Sequence, residues 1–183
     1  MDKTFLVNNG VLEQYLGNDE CIVIPKGVTR IGEHAFPYVK TIKAVELPAG
    51  LIEIGTYSFY GKSIQRIRIP DSVKTIGFKA FHECCELSEI ILGKGLEEIG
   101  PYAFCGNNCK KITIPEGVRI IREGAFCDCR NLKQISIPTS VIIIEKDAFS
   151  MNKQLETVTI PIRFKTNTES IFRNTESIVI NYI

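Results

Sequence analysis

One spacing constrains this chain more than any other feature. A short segment alternating apolar and polar residues and ending in proline, as in Ile112-Thr113-Ile114-Pro115, keeps returning. Its proline slot is filled by Pro25, Pro48, Pro70, Gly93, Pro115, Pro138 and Pro161, at steps of 23, 22, 23, 22, 23 and 23 residues. A chain that repeats itself at so short a period cannot bury an apolar face within one copy. It must stack the copies so that each covers the next.

The other columns keep step with the slot. One residue before it stand Ile24, Leu47, Ile69, Leu92, Ile114, Ile137 and Ile160; three before it stand Ile22, Val45, Ile67, Ile90, Ile112, Ile135 and Val158. Val28, Leu51, Val73, Leu96, Val118 and Val141 follow by three; Ile31, Ile54, Ile76, Ile99, Ile121 and Ile144 follow by six. Eleven after it come Phe36, Phe59, Phe81, Phe104, Phe126 and Phe149, each preceded by Ala or, once, by Ser58. The alternation around the slot predicts a short strand with one buried face. Proline, lacking an N–H for the ladder, ends it. Val-x-x-Ile-Gly then turns the chain, and Ala-Phe begins a single helical turn with Phe plugging the core.

The frame Leu-x-x-Ile-x-Ile-Pro-x-x-Val-x-x-Ile-Gly-x-x-Ala-Phe-x-x-Cys resembles the BspA-like, or TpLRR, class of leucine-rich repeats, over about residues 21–160. The resemblance implies a curved solenoid with its parallel sheet on the concave side. It also implies a surface or secreted protein that binds other proteins, host components among them. The expected fold is therefore an α/β repeat solenoid: a right-handed superhelix, a curved parallel sheet on the concave face, and short helical or irregular segments on the convex face.

Within one domain we expect three segments. Residues 1–20 form a capping hairpin, with Asn8-Asn9-Gly10 as its turn. Residues 21–160 form the regular coils, and residues 161–183 a degenerate terminal coil whose strand, Val179 to Ile183, would leave a sheet edge open if the natural protein stops there. Gly93 in place of proline lets its strand continue. Arg122 and Glu145, in place of the turn glycines Gly32, Gly55, Gly77 and Gly100, demand ordinary backbone angles there.

Composition bounds the function. At 44% hydrophobic residues the chain has ample core, and a net charge of +1 gives no electrostatic reason to expect nucleic acid. No apolar run approaches the ~20 residues that span a bilayer. Met1 to Leu16 lacks the continuous apolar stretch of a signal peptide, which leaves open a chain inside the cell or one whose export signal has been removed.

Seven cysteines invite chemistry, but Cys105-x3-Cys109 and Cys127-x-Cys129 lack the usual zinc spacing. Cys84 and Cys129 share the slot three after Phe, and Cys109 falls in the leucine column, so the expectation is compact buried thiols. Cys105 and Cys127 occupy one slot on adjacent coils, within disulfide reach; reduced thiols are nevertheless the expectation. His82 precedes them in that column, without an orienting carboxylate or a fourth ligand. Gly55 to Ser63 misses the P-loop spacing by one residue. No catalytic residue, metal or cofactor is expected.

The candidate site is the outward face of the strands. Glu46, Arg66, Arg68, Glu89, Ile91, Lys111 and Thr113 group there as charges of both signs around an exposed isoleucine. That composition suits a protein contact with an apolar centre and a polar rim. The expected function is non-catalytic recognition of a protein partner by a monomer, adhesin-like and at the cell surface. The alternatives are self-assembly through the terminal coil or sheet edge, and a cytoplasmic location.

Overall fold

The computed structural model describes residues 4–37, 41–175 and 178–183. It is a parallel β-solenoid of about 7 turns. Each regular coil contributes one strand around the alternating segment and a second strand six residues after the proline slot.

The first set comprises β3 (Cys21–Val23), β5 (Ala44–Glu46), β7 (Arg66–Arg68), β9 (Glu89–Ile91), β11 (Lys111–Thr113), β13 (Gln134–Ser136) and β15 (Thr157–Ile160), ending on β16 (Val179–Tyr182). The second set comprises two-residue strands: β4 (Arg30–Ile31), β6 (Glu53–Ile54), β8 (Thr75–Ile76), β10 (Glu98–Ile99), β12 (Ile120–Ile121) and β14 (Ile143–Ile144). These extend the antiparallel hairpin of β1 (Phe5–Asn8) and β2 (Val11–Tyr15) into one 8-stranded sheet, β1-β2-β4-β6-β8-β10-β12-β14. The second sheet was not anticipated from the sequence, where Val-x-x-Ile-Gly was assigned to a turn.

Between the sheets lies the core. The phenylalanines queue along one axis from Phe36 through Phe59, Phe81, Phe104, Phe126 and Phe149 to Phe172, with ring centroids 4.8 to 5.6 Å apart. Their neighbours from the Val and Ile columns are buried, except Ile144, which is half-buried.

Of the short helical or irregular segments expected on the turn side, the regular coils show irregular turns and no helix among the described residues. Their N–H groups run along the stack instead of along the chain. Phe59, Phe81, Phe104 and Phe126 each donate an N–H to the alanine carbonyl of the next coil, at 2.8 Å. Residues two before and two after the phenylalanines adopt left-handed backbone, among them Tyr57, Lys79, Glu83, Tyr102, Asp128 and Met151. That conformation costs about 1–2 kcal/mol for a non-glycine residue. It aims their N–H groups at the following coil too, as in Tyr57 to the Phe78 carbonyl and Glu83 to the Cys105 carbonyl, both 2.9 Å. Among the described residues, helix is confined to the terminal coil: a 3-10 helix at Ile162–Asn167 and one α-turn at Thr168–Ile171. Asn167 stands there in the slot that isoleucine fills elsewhere.

Buried side chains complete this turn-side ladder. In four coils the residue three after the phenylalanine reaches the phenylalanine carbonyl of the preceding coil: Cys84 to Phe59, Cys129 to Phe104, Asn152 to Phe126 and Thr175 to Phe149; Asn107 instead donates to the Phe104 carbonyl of its own coil. Cys109 is buried as expected.

Two glycine readings change. The turn glycines have ordinary backbone angles and serve close approach. A Cβ on Gly55 would lie 2.4 Å from the Ile31 carbonyl oxygen, and on Gly100 2.5 Å from that of Ile76. Gly93 does not prolong its strand, which stops at Ile91. It lies against the preceding coil, where a Cβ would meet the Pro70 oxygen at 2.2 Å.

The first sheet is not continuous. It divides into β3-β5-β7-β9 and β11-β13-β15-β16. Within the first group β5 and β7 share only the pair Ala44↔Arg66, where β3–β5 and β7–β9 share three each. Both interruptions fall at the 22-residue steps. Ile64 follows Phe59 by five positions and Cys109 follows Phe104 by five, where Leu87 follows Phe81 by six. The missing residue lies just ahead of β7 in one coil and just ahead of β11 in the other. A shortened lead-in leaves β7 in register with β5 but paired at one position only, and leaves β11 outside the ladder of β9, while the turn side, fixed by the phenylalanine queue, stays paired throughout.

Candidate functional site

The seven predicted site residues all lie on four neighbouring strands of the first sheet. Glu46 is on β5, Arg66 and Arg68 on β7, Glu89 and Ile91 on β9, and Lys111 and Thr113 on β11. They are not equivalent. Arg66 is joined to Glu89 at 2.7 Å, so part of the mixed charge is neutralised between coils. Ile91 is half-buried, not exposed. It sits at the division between β9 and β11, which separates Lys111 and Thr113 from the other five residues.

Glu46 and Arg68 are the informative pair. The register at Ala44↔Arg66 sets them opposite one another on facing strands. Opposite charges in another column, five before the proline slot, do close between adjacent coils, as in Lys43 with Glu20 and Lys133 with Glu156, at 2.8 and 2.9 Å. Among the described residues Glu46 and Arg68 form no ion pair with each other or with a third group.

They flank a cleft of about 740 Å³ whose walls include Val45, Leu47, Ile69 and Pro70. A smaller cleft of about 370 Å³ continues from Glu46 and Leu47 toward Val23 and Lys26. Val45 and Leu47 are half-buried there, while Ile22, Ile24, Ile67 and Ile69, their counterparts in the adjoining coils, are buried. Sequence reasoning missed Val45 and Leu47 because they belong to columns that are buried elsewhere. The available signal was the 22-residue step from Pro48 to Pro70.

The main chain records the same opening. In the regular coils the residue before the proline slot donates its N–H to the next strand. Ile24 reaches Glu46, Ile69 reaches Ile91, and Ile137 reaches Thr159, at 2.8 to 3.0 Å. Among the described residues Leu47 and Leu92 make no such bond to Arg68 and Thr113.

The cysteine column has no free ligands or nucleophile to offer. Cys105 and Cys127 form a disulfide, with Cα atoms 4.7 Å apart, which overturns the expectation of reduced thiols there. The ladder spacing of adjacent coils brings one slot within bonding distance. His82 packs on Tyr60 at 5.5 Å, and burial holds its imidazole below the usual value. Burial pushes the Cys84 thiol up to about 12. The Cys129 thiol is raised by its hydrogen bond to Cys109 and by burial. Such thiols stay protonated and unreactive at neutral pH. Among the described residues no three His, Cys, Asp or Glu side chains gather as a metal site.

On the second sheet, Arg122 holds both Glu98 and Glu145, at 2.7 and 2.8 Å. Burial disfavours charge on Glu145, but the Arg122 side chain and the Glu123 N–H outweigh it and hold the carboxyl below its ordinary range. His34 stacks on Tyr57 at 4.8 Å.

Comparison with known proteins gives one family and several folds. Residues 14–116 and 52–179 match the model of the BspA type leucine-rich repeat region, in 6 copies. Among curated proteins none matches the chain. The Treponema pallidum leucine-rich repeat protein is similar at TM-score 0.69 and 24% identity, over 98% of this chain and 79% of that one. A Bacteroides ovatus leucine-rich repeat protein is similar at TM-score 0.58 and 20% identity, over 92% of this chain and 55% of that one. The pneumococcal vaccine antigen PcpA is similar at TM-score 0.61 and 18% identity, over 90% of this chain and 45% of that one. This chain thus spans about half the length of the last two proteins.

Proposed function

The chain belongs to the BspA type leucine-rich repeat family, and from that premise we propose that it is a non-catalytic scaffold that recognises a protein partner through the first sheet. The partner is a host or cell-surface protein met outside the cell. The observation that carries this reading is the contrast on the strand face. Its inward columns are uniformly apolar, while its outward columns change residue type at every coil and leave Glu46, Arg68 and Lys111 unpaired among the described residues. A rigid ladder holding such side chains at fixed spacing loses little entropy when a partner docks.

The test is charge reversal at Arg66, Arg68 and Lys111 together. Partner capture falls, while the melting temperature hardly changes, because exposed ion pairs contribute only about 0–1 kcal/mol. Unaltered capture places the contact elsewhere on the solenoid.

A second reading, self-assembly, is favoured by the edges at the C-terminal end. Val179 on β16 and Ile183 just after it are 60% and 53% exposed, and Ile142 and Ile143 at the start of β14 are 45% and 42% exposed. Open apolar strand edges pair with other chains. Sizing at several concentrations, with and without residues 174–183, separates the readings. Assembly gives oligomers that the truncation abolishes, and recognition gives a monomer either way.

A further inference from the structure

We propose that the seam between β5 and β7 is a docking slot for one extended peptide segment of a partner, whose main chain pairs with the edges that these strands leave open. The inference rests on the recognition reading above and names the part of the strand face that receives the partner and the chemistry received.

Three independent features converge on it. The ladder is joined at Ala44↔Arg66 and interrupted beyond that pair, so the N–H of Leu47 and the carbonyl of Arg68 face the gap without each other. A polar main-chain group withheld from its ladder gains most from a ligand that brings its own donors and acceptors, which an extended peptide does at every residue. The gap is also the right size. Its volume of about 740 Å³ lies within the range of about 300–1,000 Å³ typical of ligand clefts. At a rise of about 3.3 Å per residue, Val45 to Leu47 matches a three-residue stretch of strand.

The third feature is the lining. Val45, Leu47 and Ile69 supply an apolar floor, while a carboxylate at Glu46 and a guanidinium at Arg68 stand on opposite walls. The occupant that satisfies all of these is a strand-like segment with aliphatic side chains toward the floor. A basic side chain on one flank meets Glu46, and an acidic one on the other meets Arg68. Opposite charges across such a contact fix register and direction. Of the two interruptions, the β5–β7 seam is the one at which this cleft opens.

The probe is a blocked hexapeptide alternating valine with polar residues, one lysine and one aspartate among them, titrated into the full chain. The readouts are calorimetry and backbone amide shifts. Saturable binding that moves the amides of Val45, Glu46, Leu47, Arg68 and Ile69 is expected. The same peptide methylated on alternate amide nitrogens should bind at least 10-fold more weakly, since it keeps its side chains and loses its donors. Inserting one glycine between Gly61 and Lys62 restores the 23-residue step, closes the seam and should weaken binding by a similar factor. Should that insertion misfold, the double variant Glu46→Ala/Arg68→Ala, which touches only exposed side chains, should still weaken binding several-fold.

Equal affinity for the methylated peptide overturns the proposal, as does absence of saturable binding or a shift pattern centred on β11 to β15. If the probe fails while charge reversal still abolishes partner capture, the slot is wrong and strand-face recognition stands. If the probe binds the seam and charge reversal, which includes Arg68, spares capture, the slot is not where the partner docks and the proposal fails.

Discussion

The same coils build both sheets, yet the second sheet runs unbroken from β1 to β14, while the first divides between β9 and β11 and thins to a single pair between β5 and β7. The difference lies in how each side is fixed. On the turn side, stacked rings, inter-coil N–H bonds and buried Cys, Asn and Thr side chains set the spacing from three directions. On the first-sheet side, the strand ladder, its apolar columns and exposed ion pairs such as Arg66 with Glu89 hold the coils. A residue lost from the connection between them is therefore absorbed where the constraint is weaker. The solenoid keeps its axis and surrenders a seam, and a cleft opens where one residue is missing from the connection.

The contrast breaks most completely if the shared core is damaged. Phe104→Ala removes a fully buried ring from the middle of the queue. It should cost about 3–5 kcal/mol in denaturant unfolding and weaken protection in both sheets alike. Loss confined to one sheet would mean that the two sides do not share a core.

Asn152→Ala strikes the turn side alone. It withdraws bonds to the Phe126 and Phe149 carbonyls and to the Cys129 N–H, at 2.8 to 3.0 Å. Leaving such buried groups unpaired should cost about 1–3 kcal/mol each at most. The amides flanking the β5–β7 seam should exchange as before.

Alkaline pH probes the same ladder more gently. The folded Cys84 thiol, at about 12, lies above its ordinary value of 9.0. Above pH 9 the unfolded chain releases this proton and the folded chain keeps it. The contribution of Cys84 is therefore intact below pH 9 and lost as the pH rises toward 12, by about 1.4 kcal/mol per unit. Urea midpoints at pH 8 and pH 10 should fall further for the natural chain than for Cys84→Ala. An equal fall in both would place the thiol in contact with solvent.

Much of this architecture is legible in the residues. Columns such as Ile31 to Ile144 and Phe36 to Phe149 repeat in type as well as spacing, and burial demands that of a core. What escaped reading depends on where the backbone sends its hydrogen bonds. Val-x-x-Ile forms a strand because the neighbouring coil offers a partner, and Ala-Phe forms no helix because its N–H groups point to that neighbour. Neither choice leaves a mark on one coil read alone. Left-handed backbone at Tyr57, Lys79 and Tyr102 runs against the preferences of those residue types, so propensity hides it. The outward residues Glu46 and Arg68 are legible as a surface. Their failure to pair follows from a missing residue near Gly61, distant in sequence from Glu46.

Amide hydrogen exchange tests the central claim most directly, since it reads the ladder one bond at a time. Leu47 and Leu92 should exchange quickly, while Ile24, Ile69, Ile114 and Ile137, in the same slot of the unshortened steps, stay protected by their inter-coil bonds. Uniform protection along all six positions would contradict the account, because the first sheet would then be as continuous as the second.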